Sequence, residues 1–170
     1  YTIYQYDVGD DEATPKSMWF GERYDASSKG TNLLADIIPN NPFDYPKSIF
    51  TVEDNLIVGS GDGDIIIDFF AGSATTGHAV INLSRNDNGY RKYILVEMGE
   101  YFNTVTKPRI EKVIYSEDWK KGKPVSRKGS SHAFKYMRLE SYEDSLNNIV
   151  LRGGEHDLFA EAREGYMLSY

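Results

Sequence analysis

Residues 68–76, DFFAGSATT, place one carboxylate, one glycine and three hydroxyls within nine positions. A β-branched run precedes them and a helical pattern follows, so Asp68 ends a strand and the small residues turn sharply into a helix. Gly72 lets the main chain approach a ligand without a Cβ in the way, and the N–H groups after it point at any negative group bound there. Asp68 has the sign to receive an ammonium. Glu97 ends the next strand pattern, the position from which an acid accepts hydrogen bonds from ribose hydroxyls. On the residues alone two readings stay open: a ligand site built on the pair Asp68 and Glu97, or a helix-capping Asp68 beside an exposed strand-end Glu97 in an unrelated α/β protein. GSATTGHA also has the G-x-x-x-x-G spacing of a phosphate-binding loop. His78 and Ala79 stand where that loop needs Lys and Ser or Thr, so no side chain would neutralise phosphates or hold magnesium.

The elements that must position these residues follow from periodicity. DIIIDFF, residues 64–70, is a continuous apolar run of the kind found in a strand covered on both faces of a parallel sheet. Residues 75–83 predict a helix with Ala79, Val80 and Leu83 inward, NDNG a turn, and residues 91–98 a second buried strand. Strand, glycine turn, helix and strand make a βαβ unit, whose ligands sit at the C-terminal strand edge. Upstream, residues 29–38 predict a short helix with Leu33, Leu34, Ile37 and Ile38 at helical spacing and Thr31 as N-cap. Pro39, Pro42 and Pro46 break it, and residues 48–56 predict another helix on Ile49, Phe50, Val52 and Leu56. Downstream the expectations are a helix over 101–115, a polar loop over 116–131, a third strand over 133–140, and a helix to Ile149 capped through Ser141 and Asp144. YTIYQYDVGDDEATP reads as a strand-like lead-in, and the residues from Arg152 on as a partly ordered tail.

Composition narrows the function classes. With 170 residues, 40% of them hydrophobic, the chain suits one domain with its own core. It has no cysteine, which removes a disulfide framework, a thiolate metal site and a cysteine nucleophile. His78, His132 and His156 lack neighbouring ligand patterns, so no metal site is expected. No apolar run approaches the roughly 20 residues that cross a bilayer, and no signal-peptide layout opens the chain, so the expected location is the cytoplasm without a membrane. A start at Tyr1 rather than Met reads as a piece of a longer protein. The formal charge of −7, from 26 acidic and 19 basic residues, opposes a chain that alone grips a phosphate backbone. The thirteen tyrosines read as core and half-core residues; the cations of SEDWKKGKPVSRKGSS either reach a phosphate or belong to a solvated loop, and the acidic surroundings favour the second.

DFFAGSATTGHAV resembles the S-adenosylmethionine-binding motif of amino DNA methyltransferases of the permuted β class, most like the modification subunit of type III restriction-modification systems. The resemblance runs on through NGYRKYILVEMGEYF, KPRIEKVIYSEDWKKGKP and FKYMRLESYEDSLNN, and upstream through MWFGERYDASSKGTNLL and FDYPKSIFTVEDNL, so it covers most of the chain. Ala74 stands where the family usually has glycine. The resemblance implies an α/β fold, a partial Rossmann-like class I methyltransferase with a mostly parallel sheet. It divides the chain into a lead-in over 1–28, a cofactor-binding part over 29–150 and a tail over 151–170. S-adenosylmethionine would be the cofactor, lined by Asp68, Phe69, Phe70, Ala71, Gly72, Ser73, Thr75 and Thr76 at its methionine end and by Glu97 at its ribose. Lys47 and Ser48 of FDYPKSIF would pack beside the methionine end. The implied reaction is methyl transfer to adenine N6 in duplex DNA, with a restriction subunit and a second methylase subunit as partners. Neither DPPY nor NPPY occurs in the sequence, and NNPFDYP has one proline where that motif has two, so no catalytic residue is expected in this chain and the chain alone is expected to be inactive. A cytosine-N4 enzyme sharing the cofactor motif and a non-catalytic assembly module are the alternatives.

Overall fold

The computed structural model describes residues 18–149, and the expected lead-in strand over 1–15 and the tail from Arg152 lie outside them. The chain divides into two compact units, Tyr1–Ser131 and His132–Tyr170.

In the first unit the chain enters through a short turn of 3-10 helix, Glu22–Tyr24, and then winds as a wide π-type helix over Ser27–Asn32 that runs into α1 (Leu33–Ile37). The helix thus begins before its expected start. Asp25, not Thr31, satisfies its first N–H groups, accepting from Ser27 N at 3.2 Å and Ser28 N at 2.7 Å, while Thr31 lies exposed inside the helical stretch. Pro39 ends it, because the residue before a proline is driven to extended backbone, and Ile38 has φ −127 and ψ 90. Helix α2 (Ile49–Gly59) follows where expected, but its buried residues are Ile49, Glu53 and Asp54 rather than an all-apolar set. The carboxylates are paired: Asp54 accepts from Arg23 and Tyr24, and Glu53 accepts from Asn82 of the next helix at 2.8 Å.

Strands β1 (Ile65–Asp68) and β2 (Lys92–Leu95) pair in parallel from Ile65↔Lys92 to Asp68↔Leu95, joined through α3 (Thr75–Asp87). The expected βαβ unit is therefore present, with strands of four residues rather than seven or eight. Among the described residues each strand has a single partner, so the chain leaves the ladder as soon as that pairing ends. The expectation of cover on both faces does not hold. Ile66, Tyr93 and Leu95 face the helices, whereas Ile65 and Ile67 on the opposite face are 57% and 50% exposed. The core forms where α1, α3 and α4 (Thr106–Tyr115) meet, through Ile37, Ala74, Ile81, Ile110 and Val113, with Tyr93 and Leu95 of β2 packed against it. Gly77 lets α3 sit this close: a Cβ there would lie 2.6 Å from Ile110 Cδ1 and 2.9 Å from Leu95 Cδ1.

The helix expected from residue 101 begins at Thr106, after a separate turn over Glu100–Phe102. The polar stretch after α4 is not loop throughout: β3 (Trp119–Lys120) and β4 (Lys123–Pro124) form an antiparallel hairpin around Lys121 and Gly122, both at positive φ. Among the described tyrosines, Tyr24, Tyr93 and Tyr101 are half-buried as expected, whereas Tyr45, Tyr90, Tyr115, Tyr136 and Tyr142 are exposed and none is fully buried, which corrects the core part of the expectation.

In the second unit residues 133–140 form no strand, because an alternating pattern without a pairing neighbour has no ladder to join. Helix α5 (Tyr142–Asn147) is capped as expected, Ser141 Oγ accepting from Asp144 N at 3.1 Å.

Candidate functional site

Strand β1 ends in Asp68 and Glu97 lies two residues past the end of β2, and the turn between β1 and α3 is folded around these two carboxylates. Val96 N donates to Asp68 O and Ala71 N donates to Val96 O, which carries the chain across the strand ends. Gly72 then takes φ 54 and Ala74 φ 63, two left-handed residues in three positions. Such backbone comes without penalty to glycine and costs alanine about 1–2 kcal/mol, so Ala74 sits where a glycine would be unstrained. Its methyl group is fully buried in the core, which offsets part of that cost.

The Asp68 carboxylate is held from its own loop, Oδ1 accepting from Phe70 N at 3.1 Å and Oδ2 from Thr76 Oγ1 at 2.6 Å. Glu97 reaches from the end of β2 into the same turn. Its Oε2 accepts from Gly72 N at 2.8 Å, and its Oε1 from Met98 N at 2.9 Å and Gly99 N at 2.8 Å. Burial pushes this carboxyl up, but the hydrogen bonds from Gly99, Gly72, Tyr101 and Met98 outweigh it and hold it below the ordinary glutamate range. Glu97 is therefore ionised at neutral pH. Each carboxylate oxygen has two lone pairs, so Asp68, with two donors, retains capacity for more, whereas Gly72, Tyr101, Met98 and Gly99 fill the four sites of Glu97 and a ligand hydroxyl there must take the place of one of them.

The underside of the loop rests on α4. Thr106 Oγ1 donates to Gly72 O at 2.6 Å. Arg109, with no exposed surface, donates through Nη1 to Ser73 O, Ser73 Oγ and Thr75 Oγ1 at 3.1, 3.0 and 2.9 Å. Its Nε lies 3.3 Å from His78 Nδ1, which accepts. Burial pulls the guanidinium down to about 9, still charged at neutral pH. Burial, together with the charges of Arg109 and Arg85, keeps His78 well below the usual imidazole range and hence neutral.

The expected site residues therefore divide in two. Ser73 and Thr75 are buried with their hydroxyls turned inward to Arg109, Ala71 is buried, and Gly72 and Thr76 are half-buried. Phe69, Phe70 and Met98 form the outer side, at 66%, 85% and 93% exposed, beside the two acids. Lys47 is exposed, while Ser48 is buried and donates to Arg23 O at 3.1 Å, facing the entry turn rather than the loop. The segment that holds Lys47 and Ser48 does touch the loop, through Phe43: a Cβ on Gly72 would be 3.0 Å from Phe43 Cζ, and the Phe43 ring meets Tyr101 edge-on at 5.0 Å. Arg109, Thr106 and Phe43 were not anticipated. Arg109 left one trace in the sequence, since Thr106, Arg109, Ile110 and Val113 form one helical stripe and all four are buried.

The open acceptor sites of Asp68 at the end of β1, beside the Glu97 charge and exposed aromatic and thioether surface, suit a ligand with an ammonium and a flat apolar ring. Among the described residues no group of three His, Asp or Glu is placed to hold a metal, and no helix is long and apolar enough to cross a membrane.

A parallel strand pair joined through a glycine turn and a helix, with an acid at the end of one strand and another two residues past the other, defines an α/β protein of the kind that carries ligands at its strand ends. The chain matches the DNA methylase family model (N6_N4_Mtase) over residues 4–108 and belongs to that family. It is similar to the Type III restriction-modification enzyme EcoPI Mod subunit of Escherichia phage P1, with 30% identity over 137 residues that cover 72% of this chain and 20% of that protein. The EcoP15I Mod subunit of Escherichia coli is 42% identical over 73 residues, covering 41% of this chain and 11% of that protein. The Type II methyltransferase M.KpnI of Klebsiella pneumoniae is 29% identical over 120 residues, covering 67% of this chain and 27% of that protein. The chain thus spans about a fifth of the length of the EcoPI Mod subunit.

Proposed function

We propose that this chain is the S-adenosylmethionine-binding part of a site-specific DNA adenine-N6 methyltransferase of a type III restriction-modification system. The observation that carries the reading is the junction of Asp68, Gly72 and Glu97, in which Glu97 accepts from the glycine turn, Asp68 accepts from the same loop, and their chain neighbours Phe69 and Met98 are exposed. When bound, S-adenosylmethionine supplies an electrophilic methyl group. Asp68 would receive the ammonium, Glu97 the ribose hydroxyls, and Phe69, Phe70 and Met98 would exclude water from the ring. Ala71, Gly72, Ser73, Thr75 and Thr76 would act through the backbone they fix, and Lys47 and Ser48 would close the methionine side.

In this reading residues 29–150 form the cofactor part, 1–28 lead into it and 151–170 follow it. The two strands belong to a larger Rossmann-like sheet, which fits the exposed Ile65, Ile67 and Ile94. The sequence holds neither DPPY nor NPPY, so the group that grips a flipped adenine is proposed to lie outside it, and the chain by itself would not transfer methyl groups. Duplex DNA, a restriction subunit and a second methylase subunit are the proposed partners, in the cytoplasm.

Equilibrium dialysis of radiolabelled S-adenosylmethionine against this chain tests the reading. Loss of one charge-assisted hydrogen bond of about 1.5–3 kcal/mol predicts that Asp68→Ala weakens binding by roughly ten- to a hundredfold. Equal binding by wild type and Asp68→Ala, with both folded by circular dichroism, would refute the assignment of this site.

A further inference from the structure

The chain carries a net charge of −7, yet Lys120, Lys121, Lys123, Arg127 and Lys128 are all exposed, and no Asp or Glu occurs from 119 to 139. The nearest acids in sequence, Glu117 and Asp118, lie close enough to act on the Arg85 guanidinium on the helical side. Among the described residues none of the five cations is within ion-pair distance of a carboxylate.

The local structure makes this concentration costly. Lys120 stands directly opposite Lys123 across the β3–β4 pair, and like charges in that relation destabilise a hairpin. Lys121 takes the left-handed turn position, φ 49, where Asn, Asp or Gly is the unstrained choice. The hairpin is nonetheless held firmly. Gly122 N donates to Asp36 O at 2.7 Å, Lys121 N to Asp36 Oδ1 at 3.2 Å, and Trp119 Nε1 to Ser116 O at 3.0 Å. A Cβ on Gly122 would lie 2.9 Å from Pro39, so the tip is seated against the end of α1. A rigid backbone that keeps ammonium groups together against their own repulsion is preorganised for a row of negative charges.

We infer that the β3–β4 hairpin and the loop after it form a ridge that contacts the phosphate backbone of duplex DNA, through Lys120, Lys121, Lys123, Arg127 and Lys128. Flexible ammonium groups serve as point charges toward phosphates and read no sequence, so the ridge fixes the position of the duplex and leaves base choice to other residues. The overall acidity of the chain then confines DNA to this face. The inference rests on membership of the DNA methylase family, and not on where the cofactor binds.

The test is a nuclear magnetic resonance titration of the isotope-labelled chain with a short random-sequence duplex at low and at physiological salt, beside polyglutamate at equal charge. Amide shifts are expected within residues 119–128, weaker with polyglutamate and weaker at higher salt. The double variant Lys120→Gln, Lys123→Gln should melt higher than wild type, because the opposed charges are gone, yet bind DNA at least threefold more weakly. Its dependence of log K on log salt should flatten by roughly 2, at about 0.9 for each phosphate no longer neutralised. Shifts confined to other residues, unchanged affinity in the double variant, or polyglutamate matching DNA would overturn the ridge. Retained S-adenosylmethionine binding in the same sample separates that outcome from failure of the cofactor site.

Discussion

Replacing Arg109 by methionine is the sharpest perturbation of the 68–76 loop that leaves its sequence untouched. In the native chain the guanidinium satisfies Ser73 O, Ser73 Oγ, Thr75 Oγ1 and His78 Nδ1 in a fully buried setting. After the change the Ser73 and Thr75 hydroxyls, 3.2 Å apart, still bond each other, so two acceptors are orphaned, Ser73 O and His78 Nδ1. At about 1–3 kcal/mol for each buried unsatisfied group, the loss is roughly 4 kcal/mol. Methionine removes the cost of burying a charge and fills most of the volume, which leaves a net destabilisation of about 3 kcal/mol. For a domain of this size that corresponds to a fall in Tm on the order of 10 °C. Thermal unfolding followed by circular dichroism at neutral pH measures it, with Arg109→Lys alongside. Lysine keeps the charge but has one nitrogen in place of three, so its Tm should lie between the other two. A methionine variant that melts with wild type, or a lysine variant less stable than the methionine one, would refute the reasoning.

The remaining predictions concern His78 and the tightly packed glycines. His78 has a folded pKa depressed far below its unfolded value of 6.5, so on acidification the unfolded chain takes up a proton that the folded chain does not. Stability should therefore fall by about 1.4 kcal/mol per pH unit below pH 6.5, and His78→Gln should remove that slope in urea titrations between about pH 6.5 and 5. Glu53, raised by burial, acts in the opposite sense nearer its own range, so the difference between variant and wild type is the quantity to read. A Cβ on Gly30 would overlap the backbone carbonyl of Pro46, whereas one on Gly77 would meet only the ends of Ile110 and Leu95. Gly30→Ala should thus cost more than about 3 kcal/mol and Gly77→Ala about 1–2 kcal/mol, since side chains can yield and a carbonyl cannot; equal melting temperatures would contradict this.

The βαβ unit was legible because its signals are local: a continuous β-branched run, small residues in a turn, and then apolar spacing at period 3.6. Ala79, Val80 and Leu83 are buried as their spacing requires. Strand lengths were not legible, because they depend on how many partners a strand has rather than on its own residues. Asp68 could be placed at a strand end and Glu97 close to one, but the bonds from Gly72 to Glu97 and from Arg109 to Ser73 join residues 25 and 36 positions apart. Arg109 contradicts the ordinary expectation that arginine is exposed, and only its place in the Thr106, Ile110 and Val113 stripe hints otherwise. The hairpin at Lys121 and Gly122 was hidden because lysine is not a turn signal. The strand expected over 133–140 shows the converse, a pattern without a partner.

The most direct test of the central claim, that the Asp68 loop and Glu97 hold S-adenosylmethionine, is chemical-shift mapping of the isotope-labelled chain as the cofactor is added. Shifts at residues 68–76 and 97–99, lost together in Asp68→Ala, are the predicted result. Saturable shifts that leave those residues unmoved would contradict it.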